Sequence, residues 1–193
     1  MDNREAFHFL LELTAVATGL AYLVEAARLR RICWIYGGIS SLIYIYIFFN
    51  ARLYVDGSLN TYYFAVAFVG WFGWQPNRSP RPVTRLRLWE LAACISVSLA
   101  LGAFLGFALQ AFTRADYPLT DSFIGALSVT ATWLTARKKI ETWPLWIVAD
   151  GTAAVLFFYK ELYLTSAIML VYLILVAAAW VRWHKELKQH APA

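Results

Sequence analysis

Seven runs of apolar residues, at 6–27, 32–51, 58–74, 89–113, 118–136, 143–159 and 162–183, follow one another with only short polar gaps. A helix that crosses a bilayer needs about 17 to 25 mostly apolar residues, and every run meets that length. Together the runs occupy all but about 50 of the 193 residues, so both tails and six loops must be made from what remains. No room is left for a folded water-soluble domain. The chain therefore reads as one all-α integral membrane domain over 1–193, with seven transmembrane helices. A nucleotide-driven motor, a large ectodomain and a nucleic-acid module are excluded on length, and the phosphate-binding pattern G-x-x-x-x-G-K-[ST] does not occur.

The net charge of +5 is distributed by side, not by patch. Numbering the runs alternately puts Arg28, Arg30, Arg31, Arg78, Arg81, Arg85, Arg87, Arg137, Lys138, Lys139, Arg182, Lys185 and Lys188 on one side, and Arg4, Arg52, Arg114 and Lys160 on the other. Basic loops stay in the cytoplasm, which predicts an external N-terminus and a cytoplasmic C-terminus in a multi-pass protein of a bacterial inner membrane. The start, MDNREAFHFL, lacks a basic n-region and a small-residue cleavage site and reads as the beginning of helix one. Cys33 and Cys94 lie in or beside apolar runs and are expected to pack as small hydrophobes without a disulfide.

Sliding the chain on itself by 109 residues brings Trp34 onto Trp143, Phe48-Phe49 onto Phe157-Phe158, Leu53-Tyr54 onto Leu162-Tyr163, Tyr63 onto Tyr172, and Trp71-x-x-Trp74 onto Trp180-x-x-Trp183. The register holds without a gap. Weak internal symmetry of this kind is a common mark of transporter folds. It predicts a 3+1+3 architecture: a first three-helix repeat over 6–74, a linker helix over 89–113, and a second repeat over 118–183, parallel to the first because the odd helix returns the chain to its starting side. Trp71, Trp74, Trp180 and Trp183 read as interfacial belt residues, where amphipathic rings belong.

Asp150 stands in the middle of the sixth run, far from either water layer. A carboxylate there costs about 2.5 to 3.5 kcal/mol on the insertion scale, so it is expected to face protein or a wet cavity and to mark a functional site. Trp143, Trp146 and Asp150 are spaced i, i+3, i+7, which predicts two indole faces and one carboxylate along one stripe, suited to a flat organic cation. The alternative is an aspartate bonded to a neighbouring hydroxyl as a folding device. Under the 109-residue shift Asp150 falls on Ser41, and Trp143 on Trp34, so only one half of the pseudo-symmetric site carries charge. Glu12, a third of the way along the first run, is a second candidate for ligand or proton binding, or else reaches water near the interface. Asp121 sits at a helix start, where a carboxylate complements the dipole. Asn50, Ser128, Thr132 and Trp133 are candidate cavity liners, and Lys160-Glu161 reads as solvated.

Other seven-helix chemistries lack their residues. The last run has no lysine for a retinal Schiff base. His8, His184 and His190 all lie near the chain ends, which argues against a bis-histidine haem or a histidine-based protease. No metal spacing is present and no cofactor is implied. A transporter, needing a shaped polar site and two gates, is the economical reading; a non-transporting membrane subunit is the alternative, and homo-oligomerisation is left open.

The run Trp34-x-x-Gly37, Phe48-Phe49-x-x-x-Leu53-Tyr54-x-Asp56-x-x-Leu59, Gly70-Trp71-x-x-Trp74 resembles the first repeat of the PnuC-type vitamin transporters. Asp121-Ser122, Leu127-Ser128, Arg137-Lys138, Glu141-x-Trp143-x-x-Trp146 and Leu162-Tyr163 are similar to that family's second repeat, and the resemblance extends from about residue 10 to 183. It implies the 3+1+3 architecture shared with the SWEET sugar transporters, and uptake by facilitated diffusion with intracellular trapping by a kinase. Where riboside-carrying members have Asn after W-x-x-W, this chain has Asp150, and where they have Gln after the L-Y-x-D-x-x-L run it has Asn60. The charge points toward the thiamine-carrying PnuT branch, with nicotinamide riboside, also a cation, as the alternative substrate. The expected binding set is Asp150, Trp146 and Trp143 on one repeat, Ser41 and Trp34 on the other, Asn60 and Glu12 closing the site, and Trp133 lining it.

Overall fold

The structure is a computed structural model that describes residues 3–75, 82–113 and 116–189. Arg78, Arg81, Arg114 and His190 lie outside the described residues, as does the side chain of Arg4. The seven helices are α1 (Asn3–Ala27), α2 (Cys33–Asn50), α3 (Tyr54–Gly73), α4 (Leu88–Phe112), α5 (Pro118–Ala136), α6 (Thr142–Tyr159) and α7 (Tyr163–Gln189). Each coincides with one of the seven apolar runs. By length and composition alone, α1, α2, α4 and α7 suffice to cross a membrane. The other three are less apolar, and for α5 and α6 the reason is burial inside protein. Ser122, Ala126, Ser128, Ala131, Thr132 and Thr135 are buried along α5, as are Trp143, Ala149, Ala153 and Ala154 along α6. Helices enclosed by other helices need small and hydroxyl side chains for close approach more than they need lipid-facing leucine.

The chain forms two compact units, divided after residue 81. In the first, α2 packs against both α1 and α3; in the second, α6 packs between α5 and α7, and α4 packs on α5. Four tight turns are built alike. Leu29, Arg52, Lys138 and Glu161 all take left-handed conformations, with φ of 57, 60, 52 and 60°. After each, the next amide reaches back five residues, as in Arg30 N to Glu25 O at 3.0 Å and Lys139 N to Leu134 O at 2.9 Å. Leu53 N to Phe48 O at 2.8 Å and Leu162 N to Phe157 O at 2.9 Å complete the set. These are Schellman closures that satisfy the last helix carbonyls. The turn residues, like the bounds of α2 and α6, are related by the 109-residue shift.

The tryptophans show the same recurrence. Trp34 meets Trp74 edge-on, with ring centroids 5.4 Å apart and planes at 89°, and Trp143 meets Trp183 at 5.1 Å and 88°. These four rings are between 0% and 4% exposed, so they are core residues, and the expectation that Trp74 and Trp183 form an interfacial belt is corrected. Trp180 stays exposed, and Trp71 carries the Arg31 guanidinium 3.5 Å from its ring centroid. Gly70 is what allows the first pair, because a Cβ there would collide with the Trp34 ring.

In the second unit α4 lies along α5 through small residues. The Ser98 and Thr130 hydroxyls are 2.6 Å apart, and a Cβ on Gly102 or Gly106 would come within 2.5 and 2.6 Å of Phe123 and Leu119. The segment leading into α4 straps the α5–α6 turn. Thr84 N donates to Lys138 O and Ile140 N donates to Thr84 O, both at 3.1 Å, while the Glu141 carboxylate accepts from Leu86 N at 3.1 Å. The base of the α5–α6 hairpin is fixed by hydroxyls: Thr135 and Thr142 lie 2.7 Å apart, and Thr142 also donates to Ala131 O at 2.8 Å. Buried polar groups in a membrane protein persist where they are paired in this way.

Candidate functional site

The candidate site is centred on α6. Pro144 lies in its first turn, where a missing N–H is no loss. Trp146 follows, partly buried against the cluster of Ala131, Leu134 and Leu145. One turn deeper stands Asp150. Its carboxylate is half-buried and forms neither a hydrogen bond nor an ion pair with any described residue. Beside it the backbone is open, since a Cβ on Gly151 would meet nothing within 4 Å, and the same holds for Gly125 on α5. An antiparallel hairpin turning at Lys138 brings Asp150 level with about residue 127 of α5, so Gly125 lies within a turn of it. The buried Ser122 hydroxyl, one turn further, also finds no partner among the described residues.

An unpaired carboxylate in a medium of low dielectric is a strong acceptor waiting for a donor or a cation. The described lysines and arginines lie in turns or near helix ends, none of them at midspan. The far end of the hairpin holds another carboxylate, but Asp121 is engaged: Lys160 Nζ donates to it at 3.0 Å. Asp121 does stand in the first turn of α5, as expected, and in addition it forms a partly exposed ion pair with Lys160 that ties α5 to the end of α6. Nothing local in the sequence signals it, because the two residues are 39 apart.

The remaining expected residues are dispersed. Trp143 is 1% exposed and enclosed against Trp183, so its ring face is not open to a ligand as the stripe of Trp143, Trp146 and Asp150 predicted. Trp34 is similarly enclosed, between Tyr22 and Trp74. The indole N–H of each finds no acceptor among the described residues. Ser41, the counterpart of Asp150, is buried on α2, and its hydroxyl makes no hydrogen bond with a described residue. Asn60 is half-buried on α3 and spends its amide N–H on Asp56 O at 3.0 Å, leaving its carbonyl oxygen free to accept. Glu12 is exposed on α1, within Coulombic range of Tyr44 on α2. Trp133 is exposed, with the Arg137 guanidinium 4.9 Å from its ring centroid.

Volume is exchanged between the halves at one pair of positions. In the first unit Tyr22 lies over Gly37, where a Cβ would come within 2.9 Å of the ring; the counterparts in the second unit are Ala131 and Trp146, which pack together. Large and small have traded places. The second unit thereby gains a partly accessible indole one turn from Asp150, where the first has a tyrosine on the neighbouring helix.

A bundle of apolar helices with an unpaired carboxylate at midspan and open space beside it has the build of a multi-pass membrane carrier for a small polar solute. The chain belongs to the family described as nicotinamide mononucleotide transporter, whose model matches residues 9–185. The nicotinamide riboside transporter PnuC of Escherichia coli (strain K12) is 24% identical over 198 residues, covering 88% of this chain and 81% of its own. The protein of the same name from Shigella flexneri matches to the same extent. The crystal structure of the vitamin B3 transporter PnuC has the same fold, with a TM-score of 0.73, 23% identity, and coverage of 94% of this chain and 83% of that one. Thiamine, the substrate expected from Asp150 and the PnuT branch, finds no support in these relatives.

Proposed function

We propose that the protein imports nicotinamide riboside across a bacterial inner membrane, with Asp150 as the residue that engages the cationic vitamin. The reading rests on one observation, the unpaired carboxylate at the middle of α6 beside the open space at Gly151. Nicotinamide riboside offers a pyridinium charge, a carboxamide donor and ribose hydroxyls, each of which compensates a buried carboxylate. Trp146 supplies a ring face for the flat pyridinium. Ser41, Asn60, Glu12 and Trp133 are proposed as further substrate-binding residues, while Trp34 and Trp143 pack inside their own units.

The same carboxylate separates nucleoside from nucleotide. A mononucleotide carries a phosphate that would have to enter a low-dielectric site already holding a negative charge, with no described lysine or arginine at midspan to offset it. The relatives' names favour nicotinamide riboside over thiamine. The sequence carries no G-x-x-x-x-G-K-[ST] motif, and transport down a gradient is the proposed mode.

Uptake by proteoliposomes tests the reading, with labelled nicotinamide riboside inside a series that includes nicotinamide mononucleotide and thiamine as competitors. Saturable riboside uptake, competed poorly by the other two, is the expected result. Preferential competition by thiamine would restore the PnuT reading, and absence of uptake for all three would return the protein to the class of non-transporting subunits.

A further inference from the structure

The first unit contains a groove of about 360 Å³ between α2 and α3. Its floor is Trp34, Gly38 and Ala67, and its walls run from Ile35 to Leu42 on α2 and from Trp71 back to Phe64 on α3. Each of those stripes spans eight residues, so the groove is about 10 to 12 Å deep along the helix axes. Ile35, Ile39, Leu42 and Phe68 are exposed along it, which leaves it open on one side.

Comparison across the 109-residue shift shows how the groove arises. Gly38 and Ala67 correspond to Ile147 and Val176, and Val176 is buried at the equivalent place in the second unit. The third difference lies at the groove's end: Arg31 stands where the second unit has buried Ile140. Arg31 stacks on Trp71, and its Nε donates to Trp71 O at 2.7 Å. The two terminal guanidinium nitrogens make no hydrogen bond to a described residue. Neighbouring Arg28 and Arg30 are both paired with Glu25, so Arg31 is the cation of this turn that remains available.

We propose that the groove seats one acyl chain of a membrane glycerophospholipid whose phosphodiester is held by Arg31. The apolar trough ends where Trp71 on α3 meets the Arg31 guanidinium, which has no acidic partner among the described residues, the arrangement expected where a headgroup sits. Bilayer chains are as apolar as leucine, so the groove supplies shape, and discrimination comes from the phosphate on a preoriented guanidinium.

Native mass spectrometry of the detergent-solubilised full chain tests this, with titration of phosphatidylglycerol, the diacylglycerol of the same chains, and inorganic phosphate. One retained phosphatidylglycerol per chain is expected, with diacylglycerol held about tenfold more weakly, as for loss of a charge-assisted hydrogen bond. Arg31→Gln lowers phosphatidylglycerol retention by a similar factor. Gly38→Ile, which installs the side chain of the second unit, lowers retention of both lipids. Gly38→Ala leaves retention unchanged, because its Cβ would lie 3.8 Å from that of Ala67, in ordinary contact. Should Gly38→Ile fail to fold, Arg31→Gln and the diacylglycerol comparison decide. Unchanged retention in Arg31→Gln, or equal binding of diacylglycerol, overturns the proposal. It is equally overturned if inorganic phosphate competes the lipid away completely, or if Gly38→Ile alters the mass of the protein assembly while lipid retention stays the same, which would make the groove an interface between copies.

Discussion

Replacing Asp150 by asparagine keeps the shape of the side chain and removes its charge. Because the carboxylate bonds to no described residue, the substitution breaks no internal contact among them. Its two effects therefore separate. For a cationic ligand, the loss is that of one charge-assisted hydrogen bond in a low-dielectric site, about 1.5 to 3 kcal/mol, or roughly 10- to 150-fold in Kd. For the ligand-free protein the change is favourable, since an uncompensated intramembrane charge is replaced by a neutral amide, a relief of at least about 1 kcal/mol. In a chain of this size a change of about 1 kcal/mol corresponds to about 2 to 4 °C in Tm. Titration followed by the fluorescence of the nine tryptophans reads the first effect, and thermal unfolding in detergent reads the second. The expected pattern is weaker riboside binding together with a raised Tm. Unaltered affinity with a lowered Tm would show that Asp150 is a structural residue and would remove it from the site.

Other substitutions follow from packing and charge. Gly70→Ala forces a methyl group into the Trp34 ring and is expected to destabilise by about 1 to 3 kcal/mol, whereas Gly125→Ala, with nothing within 4 Å of its Cβ, stabilises by about 0.5 to 1 kcal/mol; chemical unfolding of the pair checks the contrast. Trp143→Ala removes an enclosed ring and should lower stability by about 3 to 5 kcal/mol, while any defect in vitamin binding by the folded fraction stays small; folded yield and titration together separate the two. A double-mutant cycle on Asp121 and Lys160 should return a coupling below about 1 kcal/mol that shrinks with salt, because both side chains remain partly exposed. Leu29→Gly relieves a left-handed residue and is expected to raise Tm slightly, provided the Schellman closure to Glu25 O is retained.

Span length, chain order and turn chemistry are local properties, and the amino-acid sequence by itself determines them. Each helix falls on its apolar run, because a continuous stretch of that length has only one way to satisfy its backbone in lipid. The 109-residue register likewise reappears in the turns, since Leu29 and Lys138, or Arg52 and Glu161, close helices through the same few backbone bonds. The depth of Asp150 is set by its position along α6 and nothing else. What the carboxylate meets is a different kind of fact. It is left without a partner among the described residues while Asp121 is taken by Lys160, and Trp143 is walled in by Trp183 while Trp146 keeps an accessible edge. Tyr22 over Gly37 is answered by Ala131 under Trp146. All of these depend on side chains far apart in sequence. Helical periodicity assigns a residue to a face, but a face becomes core, cavity or lipid contact only when a neighbouring helix covers it or leaves it bare.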